Sequence, residues 1–237
     1  MTEAAPATWA TNVGGHRTLA ERAYAALHDA IVSGELAPGQ RLRIDELAEA
    51  LHVSHLPIRE AIRQLENQGL VQHLPHRGAR VTQLSLDDLR QLYDARLLIE
   101  PEVIRRAAEQ FTEEDSADAR ERLERYEANS ERLDPAAAWQ AHTDFHFALY
   151  DACRSNWFLR LITPLWESSQ RYRLAIPTLS SDRRRAEAGA EHEELLAACA
   201  GHDPDRAARV LHDHLAKTAN LIIGEMGGDR SFALIGK

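Results

Sequence analysis

Apolar residues recur at helical spacing over the first part of the chain. Thr18 begins a capping box with Glu21, and the apolar positions that follow predict a helix ending before Gly34. After a turn, two shorter helices are predicted, over residues 45–51 and from a cap at Ser54. Two short helices joined by a few residues form a helix-turn-helix.

The pattern of apolar and polar residues is typical of strands in one part of the chain. The runs LVQHL and ARVTQL flank a turn at 75–78 and predict a two-stranded hairpin, or wing. From Ser85 onward the pattern is helical again, and about six further helices are predicted from capping residues, such as Ser180-Ser181 and Asp203 before Pro204. Pro101 is expected to kink or split the first of them, because proline removes one backbone hydrogen bond from a helix interior.

These elements predict a mainly α fold, in which an N-terminal winged helix-turn-helix precedes an all-helical antiparallel bundle. With 237 residues, 44% hydrophobic and 27% charged, the chain has the composition of a globular protein. We expect a flexible N-terminal tail at 1–17, the winged helix-turn-helix at 18–84, the helical domain at 85–225 and a C-terminal tail at 226–237.

No apolar run approaches the roughly 18 residues that a membrane span needs. The first seventeen residues also lack the apolar stretch of a signal peptide. We therefore expect a cytoplasmic protein with no membrane partner. Cys153 and Cys199 form neither a metal pair nor a disulfide framework, and we expect both to be small buried residues.

The net charge of -9 argues against a nucleic-acid binder only as a whole-chain sum. Residues 18–84 carry seven arginines against eight acidic residues, whereas residues 85–237 carry 20 basic against 28 acidic residues. The third predicted helix places Arg59 and Arg63 one turn apart on one face, where arginine is suited to contact guanine and phosphate. The alternative is that these arginines pair with acidic neighbours on a solvated helix. Their combination with a helix-turn-helix and a basic wing favours DNA.

The run VS-x-x-P-x-REA-x-R-x-L, followed by GLV and RGARV, resembles the winged helix-turn-helix of the GntR family of bacterial transcription regulators. This chain has His55-Leu56 where the family usually has Arg-Thr, and a histidine can still donate a hydrogen bond to a base or phosphate. The resemblance implies contacts with double-stranded operator DNA, of which Arg41 supplies one to phosphate. The expected contact residues are Arg41, Ser54, His55, Arg59, Arg63, Arg77 and Gly78.

Histidines concentrate in the helical segment. His142 and His146 are four residues apart, which places both imidazoles on one helix face, as a metal ion needs from two ligands of one helix. His192 and His214 fall in two further predicted helices beside apolar positions, so four nitrogen ligands could converge. The alternative is that each is a hydrogen-bonded core or surface histidine.

Known catalytic patterns fit these histidines poorly. The zinc-protease motif needs a glutamate directly after its first histidine, and Thr143 stands there. Di-iron bundles need a glutamate three residues before a histidine, which none of the four has. The chain also lacks a nucleophile elbow and a phosphate-binding glycine loop. We therefore expect that the protein is not an enzyme.

The helical segment is similar to the ligand-sensing FCD domain of the FadR-type GntR regulators, through RLLIE, FHFALYDACRSNWFLRLI, EHEELLAA and DPDRAARVLHDHL. The resemblance implies a divalent metal site in which a histidine replaces the usual aspartate at the first position. Four imidazoles suit zinc, with nickel as an alternative. The implied ligands are His142, His146, His192 and His214.

The same resemblance implies a small organic acid as effector, bound against the metal. Arg96 and Arg173 are the candidates to clamp its carboxylate, because a guanidinium matches two oxygens. The chain is thus expected to be a ligand-responsive regulator, with repression relieved by effector as the family's usual case. The helical domain is expected to form a homodimer that binds a near-palindromic operator. The alternatives left open are a metal-dependent enzyme and a metabolite-binding helical protein without a DNA role.

Overall fold

The computed structural model describes residues 18–74, 78–131, 135–174 and 181–236. These residues form nine helices and three short strands, grouped in two compact units. The first unit contains residues 18–85 and 167–174, and the second contains residues 86–166 and 181–236. The predicted fold class is confirmed, since a winged helix-turn-helix is followed by a helical domain.

The first unit is built on helices α1 (Leu19–Val32), α2 (Ile44–Ala50) and α3 (His55–Asn67). The predicted capping box is confirmed, because the backbone N–H of Glu21 donates to Thr18 Oγ1 at 3.1 Å. In return the backbone N–H of Thr18 donates to Glu21 Oε2 at 2.9 Å. The apolar faces of the helices meet in one core, which includes Leu27, Ile58, Leu65 and Leu70.

The wing has three strands rather than the predicted two. Strands β1 (Arg41–Leu42), β2 (Val71–Leu74) and β3 (Gly78–Val81) lie in the order β1-β3-β2, all antiparallel. The additional strand lies in a segment expected to be a turn. It has only two residues, too few to show strand periodicity in the sequence.

The second unit is helical and includes the first part of α7. Its helix starts agree with the predicted caps, since Ser181 caps α8 and Asp203 caps α9, with Pro204 at the first helical position. None of the described helices is long and apolar enough to cross a membrane. The helices are α4 (Leu86–Glu109), α5 (Glu113–Glu131), α6 (Pro135–Asp151), α7 (Asn156–Leu174), α8 (Asp182–Ala200) and α9 (Pro204–Glu225).

Pro101 does not split its helix, because α4 runs through it from Leu86 to Glu109; the alternative expectation, a kink at Pro101, stays a prediction. Buried residues lie on both sides of the proline, Tyr93 before it and Val103 and Ile104 after it. α4 packs along α9. This packing outweighs the loss of one backbone hydrogen bond.

Both cysteines are buried, as expected. Burial raises the pKa of the Cys199 thiol to about 12, which keeps it protonated at neutral pH.

Candidate nucleic-acid surface and metal centre

Exposed basic residues of the first unit line one groove between α3 and the wing. Arg41 comes from β1, His55, Arg59 and Arg63 come from α3, and Gly78 begins β3. All five residues are exposed to solvent. The structure therefore brings together five of the seven residues predicted to contact DNA.

The local sequence explains why α3 presents these side chains. Ile58 and Ile62 of α3 are buried in the first unit's core, so Arg59 and Arg63 fall on the exposed side of the same helix. Ser54 is the exposed N-cap of α3 and lies in a neighbouring depression that His55 also lines. Arg77, the remaining predicted contact, lies outside the described residues.

Two further arginines belong to this surface and were not predicted. Arg43 lines the groove and pairs with Glu46 at 2.8 Å, both exposed to solvent. Arg80 lies directly across from Arg41 in the pairing of β1 with β3. Arg80 lies in β3, a strand of the predicted hairpin, whereas Arg43 directly follows the unpredicted strand β1, which pairs with β3. His55 Nε2 lies 3.3 Å from Asp45 Oδ1, an acidic partner that DNA phosphate would have to displace.

The four predicted histidines meet in the second unit. His142 and His146 project from α6, His192 from α8 and His214 from α9. Each is at most 2% exposed. One nitrogen from each lies within 4.8 Å of those from the other three, a group that could hold a metal ion.

The donor set fits a tetrahedral transition-metal site. With zinc–nitrogen bonds of about 2.0–2.1 Å, the nitrogens of such a site lie roughly 3.3 Å apart. His146 Nε2 and His192 Nε2 are already 3.2 Å apart. Four imidazole nitrogens without a carboxylate favour a borderline ion over a hard, oxygen-preferring one.

Aromatic rings enclose the histidine cluster. The Trp166 ring stacks on His142 with centroids 5.5 Å apart and contacts His146 at 5.0 Å. Trp166 is fixed in turn because its Nε1–H donates to Thr143 Oγ1 at 3.1 Å. This apolar surrounding excludes water and strengthens electrostatic interactions at the cluster. Tyr126, Trp139 and Phe145 also lie against histidines of the cluster.

A partly buried carboxylate contacts the cluster from the outside. His214 Nδ1 lies 2.7 Å from Glu191 Oε2. Arg184 also donates to Oε2 at 3.2 Å, and Lys217 donates to Oε1 at 2.9 Å. Burial alone would raise the pKa of the Glu191 carboxyl, but the hydrogen bond with His214 and the charge of Arg184 hold it well below its ordinary value.

Arg96 lies in the same unit as the histidines and is fully buried. Its Nε and Nη2 donate to the two oxygens of buried Glu100 at 2.6 and 3.2 Å, and Tyr150 donates to Glu100 Oε2 at 2.7 Å. Burial alone would lower the pKa of Arg96, but the charge of Glu100 raises it above its ordinary value. The Arg96 guanidinium lies 5.1 Å from the Trp166 ring, whose other contacts include His146.

The second predicted effector residue, Arg173, lies elsewhere. It occupies the last turn of α7, in the part of that helix that belongs to the first unit. In that unit the end of α7 packs against the C-terminus of α3, where Ser168 Oγ donates to the Gln68 carbonyl at 3.1 Å. The structure thus brings Arg96, but not Arg173, into the unit that contains the histidines.

Comparison with known proteins gives the family. The profile of bacterial regulatory proteins of the gntR family matches residues 19–81, and the FCD domain profile matches residues 91–217. The chain belongs to the GntR family and carries an FCD domain. The family resemblance expected from the sequence is therefore confirmed.

Full-length relatives agree with this assignment. The uncharacterized HTH-type transcriptional regulator BphR of Paraburkholderia xenovorans (strain LB400) is 32% identical over 212 residues, which cover 87% of this chain and 86% of BphR. The HTH-type transcriptional repressor GlaR of Escherichia coli (strain K12) is 28% identical over 215 residues, covering 87% and 96%. The solved structure of E. coli McbR/YncC has a TM-score of 0.77 at 22% identity and covers 89% of this chain and 100% of its own, which supports the fold.

This GntR protein is accordingly a DNA-binding transcriptional regulator with an FCD effector-binding domain. Its families and relatives are regulators rather than enzymes, so the expectation of no enzymatic activity is confirmed. Within its FCD domain, sequence reasoning missed Glu191, Glu100 and Trp166. The i,i+4 spacing of Arg96 and Glu100 was a usable signal for that pair.

Proposed function

We propose that this GntR regulator is a metal-containing repressor that senses a small carboxylic acid. The observation that supports this most strongly is the buried cluster of four histidines on three helices of the FCD domain. A buried cluster that offers one imidazole nitrogen from each of four side chains is suited to a metal ion. Zinc is the proposed ion, with nickel as the alternative.

The residues that would hold the ion are His142, His146, His192 and His214. As neutral ligands they leave the ion's positive charge uncompensated, so a bound ion would attract the anionic group of the effector. The aromatic enclosure keeps water from competing for that group. This supports an organic acid, rather than a neutral metabolite, as the effector.

Arg96 is the proposed second anchor for the effector. Two of its nitrogens are engaged by Glu100, but Nη1 is buried without a hydrogen-bond partner among the described residues. The same holds, within that part of the chain, for the hydroxyl of Tyr93, whose ring lies 5.0 Å from the Arg96 guanidinium. A carboxylate or hydroxyl oxygen of the effector would satisfy both donors. Arg173 stays a prediction, and the proposal relies on Arg96.

The operator contacts are proposed for the groove between α3 and the wing. Arg59 and Arg63 would contact base edges or phosphates in the major groove, with Ser54 and His55 at the start of the recognition helix. Arg41, Arg77 and Gly78 would contact the operator beside the wing, with Arg41 bound to phosphate. Two such units in a homodimer would bind a near-palindromic site, and effector binding would favour an arrangement with lower operator affinity. The relative GlaR is a transcriptional repressor, which supports repression as the direction.

Selection of genomic fragments by the purified protein at physiological salt tests this function. Sequencing of the retained fragments should give one enriched palindrome, and carboxylic acids suggested by the neighbouring genes should release it. Release should require the metal-loaded protein and fail after chelator treatment. Operator recognition would be contradicted if the retained fragments shared no common site and their retention decreased evenly with increasing salt. Equal release from chelated protein would contradict the metal's role in sensing.

A further inference from the structure

Glu191 has an unusual position in the metal centre. It directly precedes His192 in α8, yet its carboxylate contacts His214 of α9 rather than its own neighbour. The side chains of Glu191 and His214 are 12% and 3% exposed. Arg184 donates to Oε2 of the carboxylate and Lys217 donates to Oε1, so both oxygens are held in place.

We propose that Glu191 is a positioning residue of the metal centre, which selects the imidazole tautomer of His214 and orients its Nε2 toward the ion. This inference rests on the proposed metal-binding function. Glu191 itself would not bind the ion.

The chemistry of imidazole carries the argument. A neutral imidazole has one N–H donor and one lone pair, and the partner of one nitrogen decides which nitrogen is free to ligate. A carboxylate can only accept, so at 2.7 Å it keeps the proton of His214 on Nδ1. That leaves the Nε2 lone pair for the ion. The same nitrogen faces the cluster in His146 and His192, whose Nε2 atoms are 3.2 Å apart.

The surroundings of Glu191 make this arrangement rigid. Arg184 is itself buried and donates to Thr218 Oγ1 of α9 at 3.2 Å as well as to Glu191. Lys217 lies one residue before Thr218 on α9, so two cations hold the carboxylate between α8 and α9. A histidine ligand backed by a fixed carboxylate is a better donor to a metal ion. An all-histidine site has no anionic ligand. The Glu191 carboxylate therefore supplies negative charge next to the site, through its contact with His214.

Zinc binding by full-length variants tests the proposal. We expect Glu191→Ala to weaken zinc affinity by about 10- to 100-fold, measured by competition with a chromophoric chelator. Glu191→Gln keeps the size of the side chain but loses its charge and can present either an acceptor or a donor to Nδ1, so it should weaken zinc binding in the same direction. Glu194→Gln is the matched control, because Glu194 lies on the same helix but is exposed and pairs with Arg206. It should bind zinc as wild type does.

Cobalt(II) separates positioning from a merely structural role. Its visible absorption reports the ligand set, so the spectrum of Glu191→Ala should approach that of His214→Ala. If Glu191 only holds α8 to α9, the variants would melt earlier but keep the wild-type cobalt spectrum, which would overturn the proposal. So would wild-type zinc affinity in both folded variants. If Glu191→Ala does not fold, Glu191→Gln decides. Failure of the wild-type protein to bind either ion would instead refute the proposed metal function.

Discussion

The Arg96–Glu100 pair places two opposite charges in a fully buried position, so its energetics can be tested residue by residue. We expect Arg96→Met to lower the free energy of unfolding by about 3–5 kcal/mol, because Glu100 would keep a buried charge without its cation. The double variant Arg96→Met with Glu100→Gln should cost less than the single one, since glutamine still accepts from Tyr150. Urea denaturation of both proteins checks this. The prediction would be contradicted if the double variant lost as much free energy of unfolding as the single variant, or more.

A related prediction concerns Tyr93, whose hydroxyl is proposed to bind the effector. Tyr93→Phe should weaken effector binding by about 1–3 kcal/mol, because a buried donor to the effector is lost. Zinc affinity should stay unchanged, since Tyr93 is not a proposed ligand. Isothermal titration with the effector, and with zinc separately, measures both. Tyr24→Phe is a control for the loss of a tyrosine hydroxyl in the other unit, where it removes the 2.9 Å bond to Gln68.

The sequence predicted which histidines cluster, but not the groups that contact them from outside the cluster. His142 and His146 are visible because their spacing places them on one helix face, and His192 and His214 stand beside apolar core positions. Glu191 gives no such sign, since its partner His214 lies 23 residues away on another helix. Contacts between helices are fixed by packing, which the spacing of one helix does not encode.

At the scale of elements, α3 is predicted to carry the base contacts. Arg59→Ala and Arg63→Ala should each weaken operator binding by about 1–3 kcal/mol. The decrease of log affinity with log salt should also become less steep where the lost contact is to phosphate. Fluorescence anisotropy at three salt concentrations measures both quantities. Arg183→Ala is the control, because Arg183 is 90% exposed on α8 and pairs only at the surface with Glu187.

The C-terminal segment after α9, predicted to be a tail, is hydrogen-bonded back to Asn220 of α9. Asn220 Oδ1 accepts from the backbone N–H groups of Ser231 and Phe232 at 3.0 and 3.1 Å, and Asn220 Nδ2 donates to the Phe232 carbonyl at 2.7 Å. Asn220→Ala removes all three bonds and should release the segment. Limited proteolysis should then cut between residues 227 and 236 faster than in wild type. An unchanged digestion rate would show that Asp213, which accepts from Ile235 and Gly236, suffices.

Element boundaries followed from capping chemistry where a cap uses local hydrogen bonds. Thr18 with Glu21, and Asp203 before Pro204, mark helix starts that the structure contains. Elements that depend on distant partners were missed. β1 exists only because it pairs with β3, and α4 continues through Pro101 because it packs along α9.

For the whole molecule, metal loading is predicted to determine stability. An ion that binds only the folded protein adds about 2.7 kcal/mol when its free concentration is 100 times its Kd. Zinc should therefore raise the unfolding midpoint of wild type, and the double variant His146→Ala with His192→Ala should lose this increase. His202→Ala is the control, because His202 lies outside the cluster, where its Nδ1 is 3.1 Å from the Ala108 carbonyl oxygen. Differential scanning calorimetry with and without zinc measures the effect.

Homodimer formation is the remaining whole-molecule prediction, and exposed apolar side chains of the second unit show where to test it. Leu98 of α4 is 78% exposed, and Trp157 and Leu161 of α7 are 73% and 50% exposed. The two helices adjoin, since the Arg106 guanidinium of α4 lies 5.1 Å from the Phe158 ring of α7. Large apolar residues exposed on neighbouring helices are typical of a protein interface, and a two-fold dimer would cover the same patch on both copies.

Leu98→Glu should therefore shift the protein toward monomer in sedimentation velocity, because a dimer would bury the two introduced carboxylates. The monomer should bind a full palindrome no more tightly than a half-site, since the second recognition helix no longer binds intramolecularly. Leu19→Glu, at an exposed position of α1 in the DNA-binding unit, introduces the same charge and should leave the dimer intact. A wild-type sedimentation coefficient for Leu98→Glu would place the dimer interface on another surface.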